Sequence, residues 1–96
     1  MVGTFTGVLE HDNVLGFVAY PNPTNGLVNL DIQLTMPMDV ELVIYDALGE
    51  MIWQENKKLA SHANWPIGLQ QFPAGIYQVL LKSGTSLLVT ERILKY

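Results

Sequence analysis

The stretch Leu27-Val28-Asn29-Leu30-Asp31-Ile32-Gln33-Leu34 decides the fold. Val28, Leu30, Ile32 and Leu34 are apolar, and Asn29, Asp31 and Gln33 between them are polar. Side chains that alternate with a period of two leave one face of a β-strand for a core and the other for water. Just upstream, Leu15 to Tyr20 is β-prone, but Pro21 and Pro23 have no N–H to give to a ladder, so this strand is expected to be short and to lie at a sheet edge. Between the two, Pro21-Asn22-Pro23-Thr24-Asn25-Gly26 concentrates turn residues: proline presets φ, and Asn-Gly supplies positive φ at low steric cost.

Downstream, Met36 to Asp39 breaks the pattern, and Val40 to Tyr45 resumes it with Val40, Leu42 and Ile44 on one face. Asp46-Ala47-Leu48-Gly49 predicts a tight turn, with an Asp able to bond nearby backbone amides and a Gly for the left-handed position. Met51 to Glu55 follows as a strand. Asn56 to Asn64 reads as a polar loop and the most mobile part of the domain. Trp65, Ile67 and Leu69 alternate again in a strand that Pro66 and Gly68 assign to an edge. Phe72-Pro73-Ala74-Gly75 turns the chain into Ile76 to Lys82, and Ser83-Gly84-Thr85 closes a hairpin onto Ser86 to Lys95. Tyr77, near the start of the sixth strand, is the candidate for a corner tyrosine whose hydroxyl bonds to backbone. Seven short strands at this spacing predict an all-β fold, a seven-stranded antiparallel immunoglobulin-like β-sandwich.

Composition narrows the function. With 49% of residues apolar and 15% charged, the chain is too hydrophobic to be disordered. A net charge of −4 with only five Lys and Arg offers no basic footprint for nucleic acid or an anionic membrane. Cysteine is absent, which excludes disulfides and thiolate metal sites. No apolar run approaches the ~20 residues that span a bilayer, so no transmembrane segment is expected.

Candidate chemistry is sparse. His11 and His62 are the two histidines, and neither has ligand spacing to the other. His11-Asp12-Asn13 reads as a polar linker before it reads as a metal cluster, and Asp46 with Glu50 as a turn cap and a solvent-facing carboxylate. With no phosphate loop, dinucleotide fingerprint, nucleophile elbow or calcium loop, the expectation is a non-enzyme with no catalytic residue, no metal and no cofactor. Trp53 and Trp65 sustain one alternative, a carbohydrate-binding or adhesive module. Core or edge packing is their default role, and Trp65, beside Pro66, is the one expected to be more exposed.

Four segments taken in order carry a family resemblance: Tyr20-Pro21-Asn22-Pro23-Thr24-Asn25-Gly26, Ile44-Tyr45-Asp46-Ala47-Leu48-Gly49-Glu50, Phe72-Pro73-Ala74-Gly75-Ile76-Tyr77 and Glu91-Arg92-Ile93-Leu94-Lys95-Tyr96. Together they resemble the type A C-terminal sorting domains of the type IX secretion system of Gram-negative bacteria. The resemblance runs from Val14 to Tyr96 and departs from the family pattern at Phe72, usually Leu, and at Tyr96, which follows the customary closing lysine. Residues 1–13 then read as a leader or linker from an upstream cargo or as the start of an expressed fragment, and 14–96 as the sorting domain.

The resemblance implies a domain carried behind a folded cargo in the same precursor. It implies passage through the periplasm, recognition by the outer-membrane translocon, and removal at the cell surface by a sortase-like transpeptidase, the cargo ending on the outer membrane or secreted. Gly7 to Asn13 is where the cleavage point is expected. By the same implication Arg92, Ile93, Leu94 and Lys95 in the last strand are read directly, by shape and by edge pairing. Tyr20, Pro21, Asn22, Pro23, Gly26, Asp46, Gly49, Pro73, Gly75 and Tyr77 serve as scaffold, each Pro and Gly for a local backbone reason.

Overall fold

The computed structural model describes residues 8–9 and 13–96. Eight strands run in order: β1 (Val8–Leu9), β2 (Val14–Tyr20), β3 (Leu27–Leu34), β4 (Met38–Tyr45), β5 (Met51–Leu59), β6 (His62–Gly68), β7 (Gly75–Ser83) and β8 (Ser86–Lys95). β1 has two residues; the other seven form the expected all-β framework, with no helix among the described residues. One sheet has the order β1-β8-β7-β4-β5 and the other β2-β3-β6, every strand pair antiparallel. The shortest molecular dimension, 19 Å, suits two layers whose backbones sit ~10 Å apart.

The alternation read in β3 is the alternation observed. Val28, Leu30, Ile32 and Leu34 are buried, and they meet Val40, Leu42 and Ile44 of β4, Trp65 and Ile67 of β6, and Tyr77, Val79 and Leu81 of β7 in one core. Burying each large aliphatic side chain contributes roughly 1.5–3 kcal/mol, so this inner layer is the principal source of stability. β2 and β6 are the two edges of the smaller sheet, the places expected from Pro21 and Pro23 just after β2 and from Pro66 within β6. Val14 opens β2 with a bulge before Gly16. The β7–β8 hairpin turns at Gly84-Thr85, with Ser83 opposite Ser86.

Two expectations are corrected. Asn56 to Asn64 is not a loop: β5 continues to Leu59, β6 begins at His62, and only Ala60 and Ser61 connect them. Asn56, Lys57 and Lys58 pair through their backbones with Glu41, Val40 and Asp39 of β4, and an edge strand tolerates polar side chains because water reaches them. Trp65 is not exposed either. Only 1% of its surface remains accessible; its indole Nε1 donates to Glu55 Oε1 at 3.2 Å, and Lys57 Nζ stands 4.8 Å from the ring centroid.

Within the expected leader, the backbone of Val8–Leu9 pairs with Thr90 and Val89 of β8. His11 and Asp12 lie outside the described residues.

Candidate functional site

Antiparallel alternation sends the chain back and forth between two ends of the sandwich, and it delivers all four motif segments to the same end. In the smaller sheet Tyr20 lies opposite Asn29, and Leu27 opposite Gly68. In the larger sheet Tyr45 lies opposite both Met51 and Gln78, and Gly75 opposite Lys95. A parallel bridge between Thr24 and Lys95 ties the two sets together. The turns Tyr20–Gly26, Asp46–Gly49 and Phe72–Gly75 thus surround the point where the last strand ends.

The first turn is fastened to that strand. Asn22 Nδ2 donates to the Arg92 carbonyl at 2.8 Å, and Asn22 Oδ1 accepts the Leu94 N–H at 3.0 Å. A side-chain amide carries an NH2 donor group and a carbonyl acceptor side by side, and with one N–H and its oxygen Asn22 bonds as the peptide group of a neighbouring strand would. Next to it, Thr24 N–H donates to the Leu94 carbonyl at 2.9 Å, and the Thr24 carbonyl accepts the Tyr96 N–H at 3.0 Å. The remaining outward group, the Arg92 N–H, donates to Oε2 of Glu91 at 3.1 Å. From Arg92 to Tyr96 each of these backbone groups on the outer edge of β8 has a partner. Edge pairing at β8 was expected to be open to another protein; in the folded domain this edge is already closed.

Thr24 is fully buried and holds its own turn together: its hydroxyl donates to the Leu27 carbonyl at 2.7 Å and accepts the Gly26 N–H at 3.0 Å. Gly26 has φ +151°, and a Cβ there would stand 2.8 Å from Gln70 Cγ and 3.2 Å from Gln70 Cα. Only glycine fits, since both the backbone conformation and the space exclude a side chain. Its carbonyl in turn accepts the Leu69 N–H at 2.8 Å.

The second turn is closed by Asp46, whose Oδ1 accepts the N–H groups of Leu48 and Glu50, each at 2.9 Å. Gly49, at φ +85°, takes the left-handed position. Asp46 therefore caps its turn, as the sequence implies, and Glu50 faces solvent. In the third turn the Tyr77 hydroxyl donates to the Pro73 carbonyl, the corner bond expected of that residue. Burial, and secondarily the negative charge of Asp46, pushes the Tyr77 phenol above its usual pKa of 10.0. A depression of about 230 Å³ separates the second and third turns, lined by Asp46, Leu48, Phe72, Pro73, Ile76 and Tyr77.

The candidate recognition residues divide by strand parity. Arg92 and Leu94 point outward, Lys95 is half-buried, and Ile93 has no accessible surface and belongs to the core. Leu94 lies opposite Ile76, and Arg92 opposite Gln78. With Leu48 and Tyr96, which are also exposed, they give this end an apolar surface carrying one guanidinium. Two participants escaped notice in the sequence. Thr24 is read in the sequence only as part of its turn and Glu91, 4% exposed, only as part of the last motif segment; the signal for Glu91 is its place two residues from Ile93 on the inward side.

Elsewhere, His62 pairs with Asp31 at 2.8 Å on the surface, and Asn13 accepts from Thr35 at 3.0 Å. No group of three potential metal-ligating side chains occurs among the described residues, and no helix there is long and apolar enough to cross a membrane.

Fold and site together define a small β-sandwich whose distant turns converge on its last strand. Residues 18–95 match the family described as secretion system C-terminal sorting domain, and the chain belongs to that family. Membership makes it a C-terminal sorting signal for type IX secretion, borne by a secreted cargo and directing export to the cell surface or beyond it. No curated protein matches the chain.

Proposed function

We propose that the domain acts as a folded, non-catalytic address label, read by the outer-membrane translocon at the end where its motif turns meet. It crosses the periplasm folded behind its cargo, and a surface transpeptidase-like enzyme then removes it within Gly7 to Asn13. The observation that supports this reading is the convergence itself. Turns from Pro21, Asp46 and Phe72 surround β8, and Asn22 reaches Arg92 and Leu94, 70 and 72 residues away in sequence. Such an arrangement presents Arg92, Leu94 and Tyr96 as a fixed surface, which a partner recognises by shape without forming a covalent bond. Two carboxylates at this end serve structure: Asp46 and Glu91 both accept backbone N–H groups. Trp65, fully packed, has no free ring face to offer a sugar.

The experiment is fusion of the whole chain behind a periplasmic reporter in a host with type IX machinery. The intact fusion is expected at the surface, and removal of Glu91 to Tyr96 is expected to leave the reporter in the periplasm. Unchanged export after that removal would overturn the reading.

A further inference from the structure

The outer edge of β8 is closed in two different ways. Around Val89 and Thr90 a strand, β1, lies against it. From Arg92 onward no strand does so among the described residues, and a loop from the opposite sheet takes the place of one. We propose that Asn22 is a positioning residue, a side-chain latch that keeps the last five residues in strand register and so holds Arg92 and Leu94 on the outside. This deepens the sorting reading and rests on it for its functional half.

The geometry separates Asn22 from an ordinary turn residue. Local turn chemistry asks for a residue that tolerates the backbone between Pro21 and Pro23, and many do. It does not require an amide whose oxygen and nitrogen both end on one strand of the other sheet. Both Asn22 bonds are made at exposed positions, so breaking them leaves the donor and acceptor to water and does not strand them in a core. The loss should therefore be local. Without the latch, the outer edge of β8 keeps only the Thr24 bonds to Leu94 and Tyr96, while the inner edge stays paired with β7, Ile93 opposite Tyr77 and Lys95 opposite Gly75, so the terminal residues fray more readily from the end inward. Fraying as far as Ile93 removes an entirely buried side chain, which ties the outward row to the register of the inward one.

The test uses the whole chain with Asn22→Ala and Asn22→Asp. Asp retains an acceptor for the Leu94 N–H but has no donor for the Arg92 carbonyl. Amide hydrogen exchange is read residue by residue, and the same variants are followed as reporter fusions. Exchange at Leu94 should accelerate about tenfold in Asn22→Ala, with Asp intermediate, while amides of Leu30, Ile32 and Val79 stay as slow as in the parent. Export should fall in the same order. Uniform acceleration across the domain would overturn the proposal, since Asn22 would then be a general stability residue. Selective fraying with undiminished export would overturn it too, because the latched form would not be what is read. The sorting reading fails separately: if removal of Glu91 to Tyr96 leaves export intact, that reading falls, whereas the exchange data still judge the latch.

Discussion

At the end of the sandwich where β8 finishes, one connection bonds across the two sheets. Asn22 and Thr24, in the loop of the smaller sheet, hold Arg92, Leu94 and Tyr96 of the larger one. At the opposite end the bonds stay within a sheet: Leu34 N–H reaches Ser61 at 2.6 Å and Thr35 reaches Asn13 in the smaller, and Ser83 reaches Asp39 at 2.8 Å in the larger. A connection that bonds only to its own sheet needs the right local conformation, and many sequences supply it. A connection that bonds across sheets needs a particular donor or acceptor at one place. The difference sets the Tyr20–Gly26 loop and the last strand apart from the locally closed turns at Asp46 and Pro73, and it makes the two ends unequal under mutation.

The largest effect is expected at Gly26. Gly26→Ala forces a side chain onto Gln70 in an unfavourable backbone region and should cost about 1–3 kcal/mol, read as a lower denaturant midpoint. Thr24→Val removes a hydroxyl from a fully buried site and leaves the Gly26 N–H and Leu27 carbonyl without it. It too should cost about 1–3 kcal/mol, and the Tyr96 amide should lose protection before the core does.

Tyr77→Phe is expected to be milder, about 1 kcal/mol for the lost bond to Pro73, and it carries a pH signature. The folded phenol holds its proton to higher pH than the unfolded one. The stabilisation is therefore complete below the unfolded value of 10.0 and disappears as pH rises through the folded value. Thermal melts of parent and Tyr77→Phe should converge as pH climbs above that point, and parallel curves would sever the link.

The smallest effect belongs to the exposed His62–Asp31 pair. His62→Ala should change stability by less than about 1 kcal/mol, with the difference shrinking in salt. A loss as large as that of Thr24→Val would erase the distinction between the ends.

Much of this was legible before any coordinates. β3 and β4 show their burial through period-two patterning, and Asp46 and Tyr77 make the local bonds that their motifs imply. What was hidden is non-local. Asn56 to Lys58 is polar on both faces, and only the backbone of β4 alongside reveals it as strand. Trp65 looked exposed beside Pro66, but its spacing with Ile67 and Leu69 turns it inward, and Glu55 on the other sheet satisfies the indole N–H. For Asn22 a turn already explained the residue, so no sequence pattern pointed to a partner on the last strand.

The most direct measurement compares the two ends in a single export assay. The whole chain is fused to a periplasmic reporter and carries either Arg92→Ala with Leu94→Ser or, at the other end, Lys58→Ala with His62→Ala, both checked for parental melting temperature. The first pair should strand the reporter inside the cell and the second should export it like the parent. Export of the first pair at the parental level, or equal failure of both, would contradict the claim that the signal is read where the motif turns meet.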